Sequence, residues 1–231
     1  MSSFNFKIWN RHILIDSNNS NMLIDTGSPK SFQQDGIVKI GDDEYTVSKS
    51  LMGIDASYLS RKVGCKISGL LGMDIMNSYS IWFNSPKFGN FILFSDKDDF
   101  KEFALPVSSQ ESFMGCPTIY LNIKQTRVKF LFDSGAPVSY ISSKFLKDIE
   151  VCGKTYDFSP LLQSDKYEVD LYYIPYELGN ECFNALFARM PSQLEIILTA
   201  YHVDGIIGFD LIDNFRLCMV NGTLFLPPQG I

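Results

Sequence analysis

The chain has 231 residues, 45% hydrophobic and 20% charged, with 26 acidic against 20 basic side chains and a formal net charge of −6. This is ordinary globular composition, enough for one large core or two small ones, and it excludes global disorder. The acidic balance argues against binding nucleic acid or an anionic membrane through a basic surface. No apolar run nears the roughly 18 residues that a membrane-spanning helix requires. The opening MSSFNFKIWNRHILID carries charges where a signal peptide would be apolar, so the expectation is a soluble, cytoplasmic protein.

In chain order the apolar runs are short. Residues 4–9, 12–15, 22–24, 118–123, 128–132, 167–173 and 223–226 are rich in β-branched and aromatic side chains, with Asn, Gly, Asp and Pro between them. They predict a mostly-β chain. Helical patterns are few: 74–77, 142–148, 210–214 and a weaker one at 184–190.

Internal repetition decides the organisation. MLIDTGSPKSF at 22–32 reappears as FLFDSGAPVSY at 130–140, and SGLLGMDIM at 68–76 reappears in the same order as DGIIGFDLI at 204–212. The chain therefore reads as a tandem duplication. Charges and Pro106 interrupt the apolar runs over 98–110, which divides the halves into 1–105 and 106–231. One Asp-[Thr/Ser]-Gly arises by chance on the order of 0.1 times in a chain of this length. Two copies, each preceded by three apolar residues and each answered by a second paired motif, are a specific signal.

An aspartate between an apolar strand and Thr/Ser-Gly is presented at a strand end by the turn that the glycine permits. Asp25 and Asp133, brought together by a two-fold relation between the halves, would form a pair that cannot ionise together, so one proton is shared. Such a pair can hold a water, one carboxylate acting as base while the protonated carboxyl bonds the carbonyl under attack.

On these residues the sequence resembles the aspartic peptidases, the clan of pepsin and the retroviral proteases, over about 4–94 and 117–227. The resemblance is carried by Asp25-Thr26-Gly27-Ser28, Asp133-Ser134-Gly135-Ala136, and the Gly-Leu-Leu-Gly and Gly-Ile-Ile-Gly segments at 69–72 and 205–208. It implies an all-β, bilobal fold of two similar barrel-like lobes about a pseudo-two-fold axis. It also implies catalysis by Asp25 and Asp133, loop-locking hydroxyls at Thr26 and Ser134, and structural support from the aliphatic-glycine segments. Each half is near the size of a retroviral-type subunit, so a monomer should suffice. The substrate would be a peptide or protein bound in extended form, with no metal, cofactor or nucleic acid.

Three finer expectations follow. Ser28 offers Asp25 a hydroxyl where Ala136 offers Asp133 none, which makes Asp133 the protonated member and favours a weakly acidic to neutral working pH. The second half is longer: Asp133 to Gly205 spans 72 positions against 44 from Asp25 to Gly69. The 28 extra residues predict a substrate-covering hairpin, 167–176 returning through Gly179-Asn180 to 182–187, with Tyr172, Tyr173 and Tyr176 as candidate substrate contacts. With Asp25 so near Met1, no inhibitory pepsin-type propeptide is expected, and narrow specificity with a maturation role fits best.

Other features read as structural. Asp74 and Asp210 repeat, but each precedes a helical pattern and reads as an N-cap. The run starting at Asp16 lacks the glycine and glutamate of a calcium loop, Gly153-Lys-Thr155 lacks the upstream glycine of a phosphate loop, and His12 and His202 are too few for zinc. Five scattered cysteines predict reduced thiols. The rival from another class is a catalytically silent peptide-binding module of the same fold.

Overall fold

Alternation of apolar and polar residues shapes the first half. The computed structural model describes residues 1–17, 20–84, 89–95, 105–106, 112–159, 166–179 and 181–226. A meander of β1 (Ser2–Trp9), β2 (His12–Ser17) and β3 (Ser20–Ile24) leads to Asp25. After it come β4 (Phe32–Gln33) and two small hairpins, β5 (Ile37–Ile40) with β6 (Asp43–Thr46) and β7 (Ser50–Leu51) with β8 (Ile54–Asp55). Helix α1 (Ala56–Val63), β9 (Gly69–Leu71), α2 (Met73–Met76), β10 (Ser80–Phe83), β11 (Phe91–Ser95) and β12 (Leu105–Pro106) complete this half. The sequence reading missed α1, although its signals are present. Asp55 caps it by accepting from Tyr58 N, Gly64 ends it at φ 82°, and Ala56, Leu59 and Val63 recur on one buried face. That face covers Leu14, Leu23, Phe32 and Leu70 in a small satellite core.

The second half repeats the plan with longer strands: β13 (Thr118–Ile123), β14 (Thr126–Phe132), β15 (Ser139–Ile141), β16 (Gly153–Asp157), β17 (Tyr167–Leu178) and β18 (Glu181–Arg189). It ends with α3 (Ser192–Thr199), β19 (Gly205–Ile207), α4 (Phe209–Asn214), β20 (Leu217–Val220) and β21 (Thr223–Leu226). The hydrogen-bonded order β13-β14-β19-β15-β18-β17 closes on itself where Asn122 of β13 faces Glu177 of β17. The result is a closed barrel with β16 attached to β17 alone. The weak helical pattern at 184–190 is in fact strand β18. Its burial alternates, Ala185 and Phe187 inward against Asn184 and Leu186 outward, and this period of two settles the element.

The first half is open rather than closed, a ten-stranded sheet in the order β12-β21-β20-β10-β11-β1-β2-β3-β9-β4. Its β20 and β21 come from the far end of the chain, so the last strands fasten one lobe to the other. The expected boundary at 98–110 lies outside the described residues except for β12. One continuous core runs through both lobes, and Phe83 meets Phe132 edge to face at 6.0 Å across the join. The architecture is all-β, with two sheet-rich lobes. Among the described residues no helix is long and apolar enough to cross a membrane.

Candidate active site

Each Asp-[Thr/Ser]-Gly leaves a strand that pairs in parallel with the aliphatic-glycine strand of its own half, β3 with β9 and β14 with β19. The backbone N–H of Asp25 donates to Leu71 O and that of Asp133 to Ile207 O, each at 3.0 Å. Beyond the turn, Met73 N donates to Ser28 O and Phe209 N to Ala136 O. Both aspartates are thereby held at equivalent strand ends by equivalent supports, as the duplicated sequence demands.

The two loops interlock across the axis. Thr26 N donates to Ser134 Oγ at 3.0 Å and Ser134 N to Thr26 Oγ1 at 2.9 Å. The hydroxyls pass their own protons to the opposite strands, Thr26 Oγ1 to Phe132 O and Ser134 Oγ to Ile24 O. All four groups are enclosed, and both residues have no exposed surface.

Above this lock the carboxyls of Asp25 and Asp133 are brought together, each packed against the glycine of the opposite loop. Each also accepts from the glycine two residues on, Gly27 N to Asp25 and Gly135 N to Asp133, both at 2.9 Å. The glycines face the opposite carboxyl: a Cβ on Gly27 would lie 2.3 Å from Asp133 Cγ, and one on Gly135 2.6 Å from Asp25 Cγ. No side chain fits at either position. Both aspartates are half-buried, so water reaches a pair that is otherwise ringed by protein.

Burial raises both carboxyls. For Asp25 the charge of Asp133 and the bond to it add further, against the lowering effect of the Gly27 and Ser28 N–H groups. For Asp133, bonds from Asp25, Gly135 N and Ala136 N oppose burial, while the charge of Asp157 adds to it. Such a pair retains one proton at pH values where an exposed aspartate is fully ionised. Cys116 is buried beside it, and its thiol is pushed up by burial first and then by both carboxylates. Nothing in the local sequence of Cys116 marks it as a neighbour of the aspartates.

Two expectations about polar partners are corrected. The Ser28 hydroxyl donates to Lys30 O at 2.8 Å and not to Asp25, so it does not distinguish the two aspartates, and Asp133 is not the protonated member on that ground. Asp74 and Asp210 do not cap helices; Gly72 and Gly208 occupy the cap positions. Their carboxylates accept instead from Ser31 Oγ at 2.6 Å and Ser139 Oγ at 2.7 Å, six residues after each aspartate of the pair. These serines in turn accept from Gly72 N and Gly208 N. The repeat of Asp74 and Asp210 therefore marks a brace for each aspartate loop.

One brace crosses the lobes. Arg11, in the β1–β2 turn, donates to Asp210 at 2.6 Å and to Pro137 O at 2.7 Å, with its guanidinium over the Phe209 ring. Among the described residues Gln125, the corresponding turn residue of the second half, makes no such bridge, and nothing in the repeat singles out Arg11.

The expected hairpin forms, with β17 and β18 pairing from Leu171↔Ala188 to Leu178↔Glu181, but two of its three candidate substrate contacts are corrected. Tyr172 and Tyr176 point into the barrel and are 7% and 1% exposed, which removes them from any cleft, while Tyr173 faces outward opposite Leu186. The proposed turn at Gly179 packs toward Leu226, and Asn180 lies outside the described residues. The other end of β17 pairs with β16, an arm outside the closed barrel. Asp157 and Tyr167 are cross-strand partners there, and both interact with Tyr140, seven residues after Asp133. Beyond Asp157, the Phe158 ring comes within 6.0 Å of the Lys62 ammonium on α1 of the first lobe. Among the described residues no group of three or more His, Cys, Asp or Glu could hold a metal ion.

With this geometry in view, comparisons with known proteins are informative at the level of fold. No protein-family model matches the sequence, and no curated protein does either. Among solved structures, an aspartic proteinase from Irpex lacteus superposes with a TM-score of 0.53 at 11% identity, covering 98% of this chain and 96% of that one. The chain has the fold of a pepsin-like aspartic proteinase. This likeness overturns the expected cytoplasmic location, because the pepsin-like family is characteristically secreted.

Proposed function

We propose that the chain is an aspartic endopeptidase in which Asp25 and Asp133 activate a water for peptide-bond hydrolysis. The observation that carries this reading is the carboxyl pair itself: two half-buried aspartates, each faced by the other's glycine and set on loops locked by Thr26 and Ser134. In this reading the ionised carboxyl takes a proton from the water as it attacks, and the protonated carboxyl bonds the carbonyl oxygen. When the tetrahedral intermediate collapses, the C–N bond breaks and a proton passes from the pair to the leaving amine. Gly27, Gly135, Ser28 and Ala136 shape the loops and carry no chemistry. The substrate is an extended peptide, bound by main-chain hydrogen bonds between the lobes. Because both aspartates lie in one chain, a monomer is competent, in the manner of a single-chain retroviral-type enzyme of narrow specificity.

The test is mass-spectrometric profiling of a diverse peptide library across pH 3.5 to 7.5, with Asp133→Asn alongside. Cleavage present in the parent and lost in the variant supports the reading. A folded monomer that cleaves nothing, yet retains a peptide from the library, would replace it with the binding-module alternative.

A further inference from the structure

Two tight turns occupy equivalent places in the halves, Asn10-Arg11 between β1 and β2 and Lys124-Gln125 between β13 and β14. Their backbones match, with φ of 47° and 62° in the first and 47° and 63° in the second. Among the described residues the first alone reaches into the other lobe. Arg11 Nε donates to Pro137 O at 2.7 Å and Nη2 to Asp210 Oδ1 at 2.6 Å, with the guanidinium 5.1 Å from the centre of the Phe209 ring. Asn10 anchors the same turn on its other side. Its Nδ2 donates at 2.9 Å to Val63 O, at the end of α1 where helix carbonyls lack partners of their own. The Lys124-Gln125 turn makes no bond of either kind, and Lys124 donates within its own lobe to Lys147 O. Because the two backbones are alike, the bridge is not a by-product of turn geometry.

The place where Arg11 ends gives the bridge its meaning. Pro137 follows Ala136, whose N–H donates to Asp133 O at 3.1 Å and whose carbonyl accepts from Phe209 N at 3.0 Å. Asp210 accepts at its other oxygen from Ser139 Oγ at 2.7 Å. The guanidinium therefore closes on the loop that carries Asp133 and on the support beneath it. The exchange between Thr26 and Ser134 holds that loop one residue past the aspartate, and Arg11 holds its far end. The Asp25 loop is held differently. Among the described residues Asp74 accepts from Ser31 and lies 4.0 Å from the Lys30 ammonium, both within its own lobe.

We propose that Asn10 and Arg11 form a strut that positions Asp133 against Asp25: Asn10 seats the turn on α1, and Arg11 carries that position to the Asp133 loop of the second lobe. Both are positioning residues that act through the loop. The consequence for catalysis rests on the peptidase reading. The strut aligns the carboxyls and makes no bond to the peptide, so its loss lowers kcat and leaves KM in place.

The strut is tested first without activity, by amide NMR of Asn10→Ala, Arg11→Ala and the control Gln125→Ala. Signals of residues 133–139 are expected to move in the two first-turn variants and to stay in place in the control. Among the described residues Asn10 makes no bond to that loop, so movement there in Asn10→Ala reports transmission through the turn. Unmoved signals in Asn10→Ala, or equal movement in Gln125→Ala, overturn the proposal. If Arg11→Ala does not fold, Arg11→Gln takes its place, since Gln125 shows that the same backbone accepts glutamine. Hydrolysis of a peptide selected from the library is then followed well below each variant's unfolding midpoint. For both turn variants kcat is expected to fall about tenfold, with KM within about twofold of the parent. Cleavage with kcat unchanged, or with the loss confined to KM, overturns the strut and leaves the peptidase reading standing. Moved loop signals in a protein that cleaves nothing support the strut and count against the peptidase reading.

Discussion

Thr26 and Ser134, 108 positions apart, each donate a backbone N–H to the other's hydroxyl. The exchange is symmetrical because the sequence is duplicated, and it couples the two candidate active-site loops more directly than any packing contact does. Thr26→Val keeps the shape but removes the acceptor for Ser134 N and the donor to Phe132 O. Leaving such buried groups unpaired costs about 1–3 kcal/mol. Denaturant unfolding of Thr26→Val, Ser134→Ala and the double variant should show strong non-additivity, with the second substitution costing less than the first.

The carboxyl pair predicts a particular dependence of stability on pH. Both folded-state carboxyls are raised above the ordinary value of 3.8, so the native state binds protons more tightly than the unfolded chain. Their contribution to stability is fully present below that value and is lost as pH rises through the raised native values. Asp25→Asn removes one of the two like charges. The variant should therefore be more stable than the parent at neutral pH, and the difference should shrink toward pH 3. Thermal unfolding across that range checks it, and a parent that gains stability over the variant with rising pH would refute the sign.

A methyl group at Gly27 has nowhere to go. The Asp133 carboxyl occupies the space where Cβ would stand, at 2.3 Å, so Gly27→Ala must push the carboxyls apart or open the loop lock. Under the peptidase reading, activity should fall at least about a hundredfold, the size of effect that misplacing reacting groups by an ångström produces. Gly53→Ala is a useful control, because its Cβ would meet nothing within 4 Å, although its positive φ adds local strain.

The duplicated motifs made the fold class, Asp25, Asp133 and the interlocking residues legible, because a repeat reports a shared three-dimensional role without any knowledge of contacts. Partner choice was not legible in the same way. Ser28 sits next to its aspartate in sequence, yet its hydroxyl turns to Lys30 O two residues on, a local bond that competes with the longer one expected. The hairpin of β17 and β18 was legible, but the role of its tyrosines was misjudged for a different reason. The buried face of β17 changes from Val169 to the opposite parity at Tyr172, Ile174 and Tyr176, so one twelve-residue strand serves the arm at one end and the closed barrel at the other. A uniform alternation rule gives the strand one buried face throughout and so misplaces its tyrosines. Arg11 was invisible because it bridges elements 126 and 199 positions away, with no repeat to flag it.

Arg11 gives a prediction of its own. Its fork serves Pro137 O and Asp210 together, so Arg11→Lys cannot replace both bonds from one ammonium. The side chain is 47% exposed, which limits the loss to about 1 kcal/mol in stability. The larger effect should fall on the Asp133 loop, as faster amide exchange at 134–139 in both Arg11→Lys and Arg11→Ala. Protection equal to that of the parent in both variants would show that the lobes need no such bridge.

Tyr176 tests whether the hairpin of β17 and β18 belongs to the barrel core at this position. Its ring stacks on Phe183 at 5.6 Å and meets Phe187 edge to face, and its hydroxyl is buried with no hydrogen-bond partner among the described residues. Burial, followed by the charge of Asp210, pushes the phenol above its ordinary range. Tyr176→Phe removes an unpaired polar atom and keeps the packing, so stability should be unchanged or higher by about 1 kcal/mol. A residue that touched substrate would behave differently: the same substitution would raise KM while leaving unfolding untouched. Measuring both quantities on one preparation separates a barrel-core tyrosine from a cleft tyrosine, and the burial of Tyr176 predicts the first result.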